Sequence, residues 1–117
     1  MTLAQDHGWL AAARTEFLSR TLGGVTAVAR LLDVSPSQPS RWRHGKEQPS
    51  PPVAQRLLDL DHVVARLMLL WDESLIEAWL TSPNGQLGGV TPIDVIRTRG
   101  ARDLLDAIDA ELQGAYA

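Results

Sequence analysis

Apolar residues in this chain recur at intervals of three and four almost from end to end, the period of a helix and not of a strand. Trp9, Leu10, Ala13, Phe17 and Leu18 make a first stripe that stops at Gly23-Gly24. Val25, Val28, Ala29 and Leu32 make a second, closed by Asp33-Val34. Ser35-Pro36 then supplies a cap and a proline at the first helical position of a third helix, which ends at Gly45. β-Branched runs are as short as Val63-Val64 and lie inside helical spacing. The expected fold class is therefore all-α.

Prolines 51 and 52 open a long helix whose stripe of Leu57, Leu60, Val64, Leu67, Met68 and Trp71 is broader than a solvated helix needs, so it is read as central. Asp72 caps a short helix holding Leu75, Ile76, Trp79 and Leu80, which must end near Ser82-Pro83 because the residue before proline avoids helical geometry. A glycine-containing loop over 84–90 leads to Thr91-Pro92-Ile93-Asp94, a second cap followed by proline, and to a brief helix. After Gly100 a final helix puts Leu104, Leu105, Ile108 and Leu112 on one side. Phe17, Leu32, Trp42, Leu57, Val64 and Trp79 are the expected core.

A length of 117 residues allows one compact domain or two small helical lobes. The absence of cysteine removes disulfides, thiolate nucleophiles and thiolate metal sites, and no apolar run reaches the roughly 20 residues of a spanning helix. The start, MTLAQDHGW, has no basic segment followed by a long apolar one, so a cytoplasmic location is expected. Net charge is −3, unfavourable for nucleic acid as a whole, but its distribution is uneven. Residues 25–50 carry four bases against two acids, while 51–80 carry two against five and 101–117 one against four. Two surfaces for two different partners is one reading of that split, and ordinary surface variation is the other.

The segment VTAVARLLDVSPSQPSRWRHGKEQPSP has the pattern of a helix-turn-helix. A small residue at Ala29 lets two helices approach, Leu32 and Val34 hold their angle, and Trp42 locks the second helix onto the core. Such a second helix can enter a major groove with Ser37, Gln38 and Arg41 toward base edges, since Gln pairs with adenine and Arg with guanine. Arg43, His44 and Lys46 fall toward its end, where phosphate contacts are expected. The succession from Ala29 through Arg41-Trp42 to Gly45-Lys46 resembles the Xre/Cro family of repressors. Pro39 departs from that pattern by removing a backbone donor, which implies weaker DNA binding or a later helix start.

From Trp79 onward the order W-x-x-S-P-N, a glycine loop, T-P-I-D-V-I, a lone glycine, a helix and a terminal Gly-Ala-Tyr resembles the Xre/MbcA/ParS-type antitoxins. The similarity rests on Trp79, Ser82, Pro83, Asn84, Leu87, Thr91, Pro92, Ile93, Asp94, Gly100 and Gly114. It implies a helix-turn-helix region over 1–72 and a toxin-binding region over 73–117, with a RES-domain toxin that consumes NAD as partner and operator DNA as a second one. In that family the C-terminal end lies against the mouth of the toxin's active site. The toxin-binding candidates are therefore Trp79, Asn84, Gln113, Gly114, Ala115, Tyr116 and Ala117, with Tyr116 as the amphipathic anchor. A homodimer or a toxin-antitoxin hetero-oligomer is expected, because repressors of this kind read two half-sites, although no heptad seam marks an interface.

An enzyme is not indicated. His7, His44 and His62 lie in different segments without a second ligand at helical spacing, and Asp59 and Asp61 flank Leu60 on different sides of a helix. No phosphate-binding glycine motif or nucleophile elbow occurs, and neither a metal nor a cofactor is implied. The remaining alternative is a stand-alone helix-turn-helix repressor, whose second half would serve dimerisation.

Overall fold

The computed structural model describes the backbone of residues 3–115 and the side chains of residues 10–114, and among these it is all-helical. Seven helices follow in order: α1 (Leu3–Leu22), α2 (Val25–Leu32), α3 (Ser37–Arg43), α4 (Pro51–Leu67), α5 (Ile76–Thr81), α6 (Pro92–Arg99) and α7 (Arg102–Ala115). Short 3-10 turns at Glu73–Leu75 and Gly85–Leu87 precede α5 and follow it.

Two compact units divide inside α4, Met1–Leu58 and Asp59–Ala117. The boundary read from the sequence, 72/73, separated two binding roles, whereas this one separates two packed groups of residues. The first unit carries seven Lys and Arg against four Asp and Glu, the second four against ten, so their formal charges are +3 and −6.

In the first unit α1 packs against α2 and α3. Its buried face is Ala11, Thr15, Leu18, Ser19 and Leu22, while Leu10 and Ala13 are exposed and Phe17 is half-buried. The stripe expected through Leu10, Ala13 and Phe17 is thus rotated toward small polar residues. Thr15 tolerates burial because its hydroxyl donates to the Ala11 carbonyl at 2.7 Å. Trp9 lies outside the described side chains.

Helix α2 buries Ala27, Val28, Ala29, Leu31 and Leu32, and ends where Asp33 turns left-handed at φ 59° and ψ 50°. The Asp33 N–H reaches the Arg30 carbonyl at 3.3 Å and the Val34 N–H reaches the Ala29 carbonyl at 3.0 Å, the paired bonds of a Schellman ending. Four residues, 33–36, then lead into α3. Pro39 is the third residue of α3 and is buried. An N–H at that position has no partner within the helix, so the missing donor costs nothing and the ring adds to the core. Trp42, 1% exposed, is the largest fully buried side chain among the described residues, in the core where the sequence places it.

In the second unit Leu60, Val63, Val64 and Leu67 of α4 are buried together with Ile76, Leu80, Ile93, Val95, Ile96, Leu104 and Ile108. The helix stops at Leu67, whose carbonyl accepts from both Leu70 and Trp71 at 3.0 and 2.9 Å. Met68 and Trp71 therefore leave the expected stripe and are exposed. The Thr91 hydroxyl accepts from the Asp94 N–H at 3.2 Å and Pro92 occupies the first turn, so α6 starts where the sequence places its cap. Gly100 ends α6 at φ 84° and ψ −178°, backbone that is nearly closed to other residues.

Candidate functional site

On α3, Ser37 and Arg41 are exposed one turn apart and Gln38 between them is half-buried. The Arg41 Nε donates to Glu47 Oε2 at 2.6 Å, and the Arg43 Nε donates to Glu16 Oε2 of α1 at 2.6 Å. Lys46 is exposed, with its N–H on the Arg41 carbonyl at 2.9 Å. Ser37, Gln38 and Arg41 thus share the body of one short helix, Lys46 joins them just beyond its end, and Arg43 leans toward α1. Both ion pairs are about half-exposed, where such pairs are weak and a guanidinium can exchange its partner readily. The two glutamates were not legible as partners, because Glu16 lies on another helix and Glu47 in a loop.

In the second unit Asp72 accepts from the Ser74 hydroxyl and from the Ser74 N–H at 3.0 Å, and these bonds hold its carboxyl below the usual carboxylate range. This cap opens the turn that leads to Trp79 on α5. Trp71 and Trp79 then meet with ring centroids 5.6 Å apart and planes at 60°. Asn84 closes the loop that follows: its side chain accepts from the Gln86 N–H at 2.9 Å, its N–H reaches the Val90 carbonyl at 3.0 Å, and its carbonyl accepts from Gly89 at 2.9 Å. The left-handed position in the loop belongs to Gly88 and not to Asn84.

Trp79 and Asn84 come together at a cleft of about 460 Å³. Its other walls are Leu67, Leu70, Trp71, the Gly85–Leu87 turn, and Leu104, Ala107, Ile108 and Glu111 of α7. Trp71 and the α7 residues that line this cleft were not among the residues singled out from the sequence. The signal was present, since two large aromatics flank a capped helix break, but apolar spacing assigned Trp71 to the α4 core. Gln113 and Gly114 are exposed on the last turn of α7 and do not line the cleft. The side chain of Ala115, and Tyr116 and Ala117 altogether, lie outside the described residues.

No cluster of His, Asp and Glu able to hold a metal ion occurs among the described residues, and no helix among them is long and apolar enough to cross a membrane.

No curated protein matches the chain. A model of the antitoxin Xre/MbcA/ParS C-terminal toxin-binding domain matches residues 57–114, a span that contains every residue of the tryptophan cleft. Among solved structures, a chain of the M. tuberculosis MbcT-MbcA toxin-antitoxin complex is similar to this one with a TM-score of 0.76 and 28% identity, covering 91% of this chain and 96% of that chain. With its helical architecture and its second unit both accounted for by these matches, the chain belongs to the Xre/MbcA/ParS family of antitoxins.

Proposed function

We propose that this chain is an antitoxin that binds a cognate RES-domain toxin and neutralises its NAD-degrading activity by covering the active site. It acts by occupation and not by catalysis, in the cytoplasm where both its partners reside. The observation that carries this reading is the match of residues 57–114 to a toxin-binding domain, together with the cleft and exposed helix end that the same residues form. In this reading Trp79 and Asn84 shape the contact surface, and Gln113, Gly114, Ala115, Tyr116 and Ala117 reach the mouth of the toxin's site.

The same chain represses its own operon through α2 and α3, acting as a helix-turn-helix with Ser37, Gln38 and Arg41 toward bases and Arg43 and Lys46 toward phosphates. The +3 charge of the first unit and the buried Pro39, which leaves α3 intact from Ser37, support this assignment. Two copies, or a toxin-antitoxin hetero-oligomer, present two such helices to paired half-sites.

The test is co-expression of a cognate RES-domain toxin with the full chain and with a chain lacking residues 113–117, following growth and cellular NAD. Protection by the full chain and its loss on deletion is the expected result. Full protection by the shortened chain excludes occlusion by this end, and no protection by either excludes the antitoxin reading.

A further inference from the structure

Six large apolar side chains are exposed among the described residues, and four of them, Met68, Leu69, Trp71 and Leu75, fall within residues 68–75. Leu69 is 65% exposed and Leu75 55%, values that a solvated turn does not require. The segment runs from the end of α4 into the turn before α5, and Trp71 extends it into the cleft against Trp79. Helix α7 lines the same cleft with buried Leu104 and Ile108 and exposed Glu111, and Asp103 and Asp106 are exposed on the same helix. Exposed apolar side chains and an aromatic-lined recess with Glu111 among its lining residues are therefore left open on a unit of charge −6.

The geometry points to these side chains and this cleft as the principal docking surface for the toxin. The occupant is a segment of the toxin that carries one large apolar side chain flanked by Lys or Arg. The inference rests on the antitoxin reading and deepens it, because it moves the main anchor from the chain's last residues to Trp71 and the cleft. Two arguments select this occupant. Every cleft residue lies within the toxin-binding domain of the family, so the cleft is continuous with the expected interface. Glu111 lines the cleft on a unit of charge −6, and a basic partner gains steering from that charge. A second copy of this chain is the poorer fit, since it would bring a second unit of charge −6 against the same acids.

The test measures binding of the full-length chain to a purified cognate RES-domain toxin, with the melting temperature of each variant taken in parallel. Trp71→Ala removes the exposed aromatic, and Ala107→Arg fills the cleft from an exposed position without removing any packed group. Each should raise Kd by at least about tenfold, the scale of an interface hot spot. Glu111→Lys should lower the association rate severalfold and flatten its salt dependence. Should Trp71→Ala lower the melting temperature, Ala107→Arg decides alone. Wild-type Kd in Ala107→Arg overturns the docking surface, and the antitoxin reading then stands if removal of residues 113–117 still abolishes protection. Absence of toxin binding by the unaltered chain overturns both. If the chain alone sediments as a dimer that Ala107→Arg dissociates, while toxin affinity is unchanged, the surface belongs to a second copy and the inference fails.

Discussion

Trp42 is the residue on which the first unit most depends. It is 1% exposed, and its Nε1 finds no acceptor among the described residues, so its contribution there is packing. Trp42→Ala should cost about 3–5 kcal/mol in chemical denaturation, whereas Trp42→Phe, which deletes a buried donor as well as volume, should cost clearly less. A loss below about 1 kcal/mol for the alanine change would show that the indole is not a core group. Asp33 tests the backbone in the same way. A non-glycine residue at φ 59° carries strain, so Asp33→Gly should be neutral or stabilise by up to about 1 kcal/mol, and Asp33→Val should destabilise by about 1–2 kcal/mol. Trp42 was legible from its place in the helix-turn-helix pattern. The left-handed Asp33 was legible only as a helix stop, because Asp, unlike Gly, does not announce positive φ.

Among the elements, those that begin with a capping side chain or a proline were the readable ones. The starts of α4 and α6 lie at Pro51 and Pro92, and the turn before α5 begins at the Asp72 cap, because these residues act locally through fixed φ or a side-chain bond. The buried face of α1 was not readable from apolar spacing, since Thr15 and Ser19 are buried for their size and Leu10 is exposed. The end of α4 was missed for a related reason: residues 68–71 are apolar enough to continue a stripe, yet they face outward after the helix has stopped. On α3 the consequence is functional. Arg41→Ala should weaken operator binding and relax base preference, since a bidentate arginine discriminates by about 1–3 kcal/mol. Lys46→Ala should weaken binding to all sequences alike and reduce the salt slope by about one. Glu47 holds Arg41 at 2.6 Å and would compete with the proposed DNA contact for the guanidinium, so Glu47→Gln should tighten binding in a mobility-shift titration. Equal salt slopes for wild type and Lys46→Ala would remove the phosphate contact.

At the scale of the whole molecule the division of charge matters more than the net value. An overall −3 reads as unfavourable for DNA, but it is the sum of a unit at +3 and a unit at −6, and each sign suits a different partner. Binding to DNA and binding to toxin should therefore be separable by mutation within one chain. Lys46→Ala should reduce operator affinity and leave the toxin Kd within about twofold, because the phosphate contact proposed for it lies in the basic unit only. Loss of residues 113–117 should do the reverse, since Gln113 and Gly114 are exposed beyond the packed part of α7 and carry neither core contacts nor charge. Both measurements belong on the same preparations, with operator DNA titrated against the free chain and against the chain-toxin complex at two salt concentrations. If either change shifts both affinities by more than about fivefold, the two activities are coupled. The charge division would then describe one composite surface, and not two independent ones.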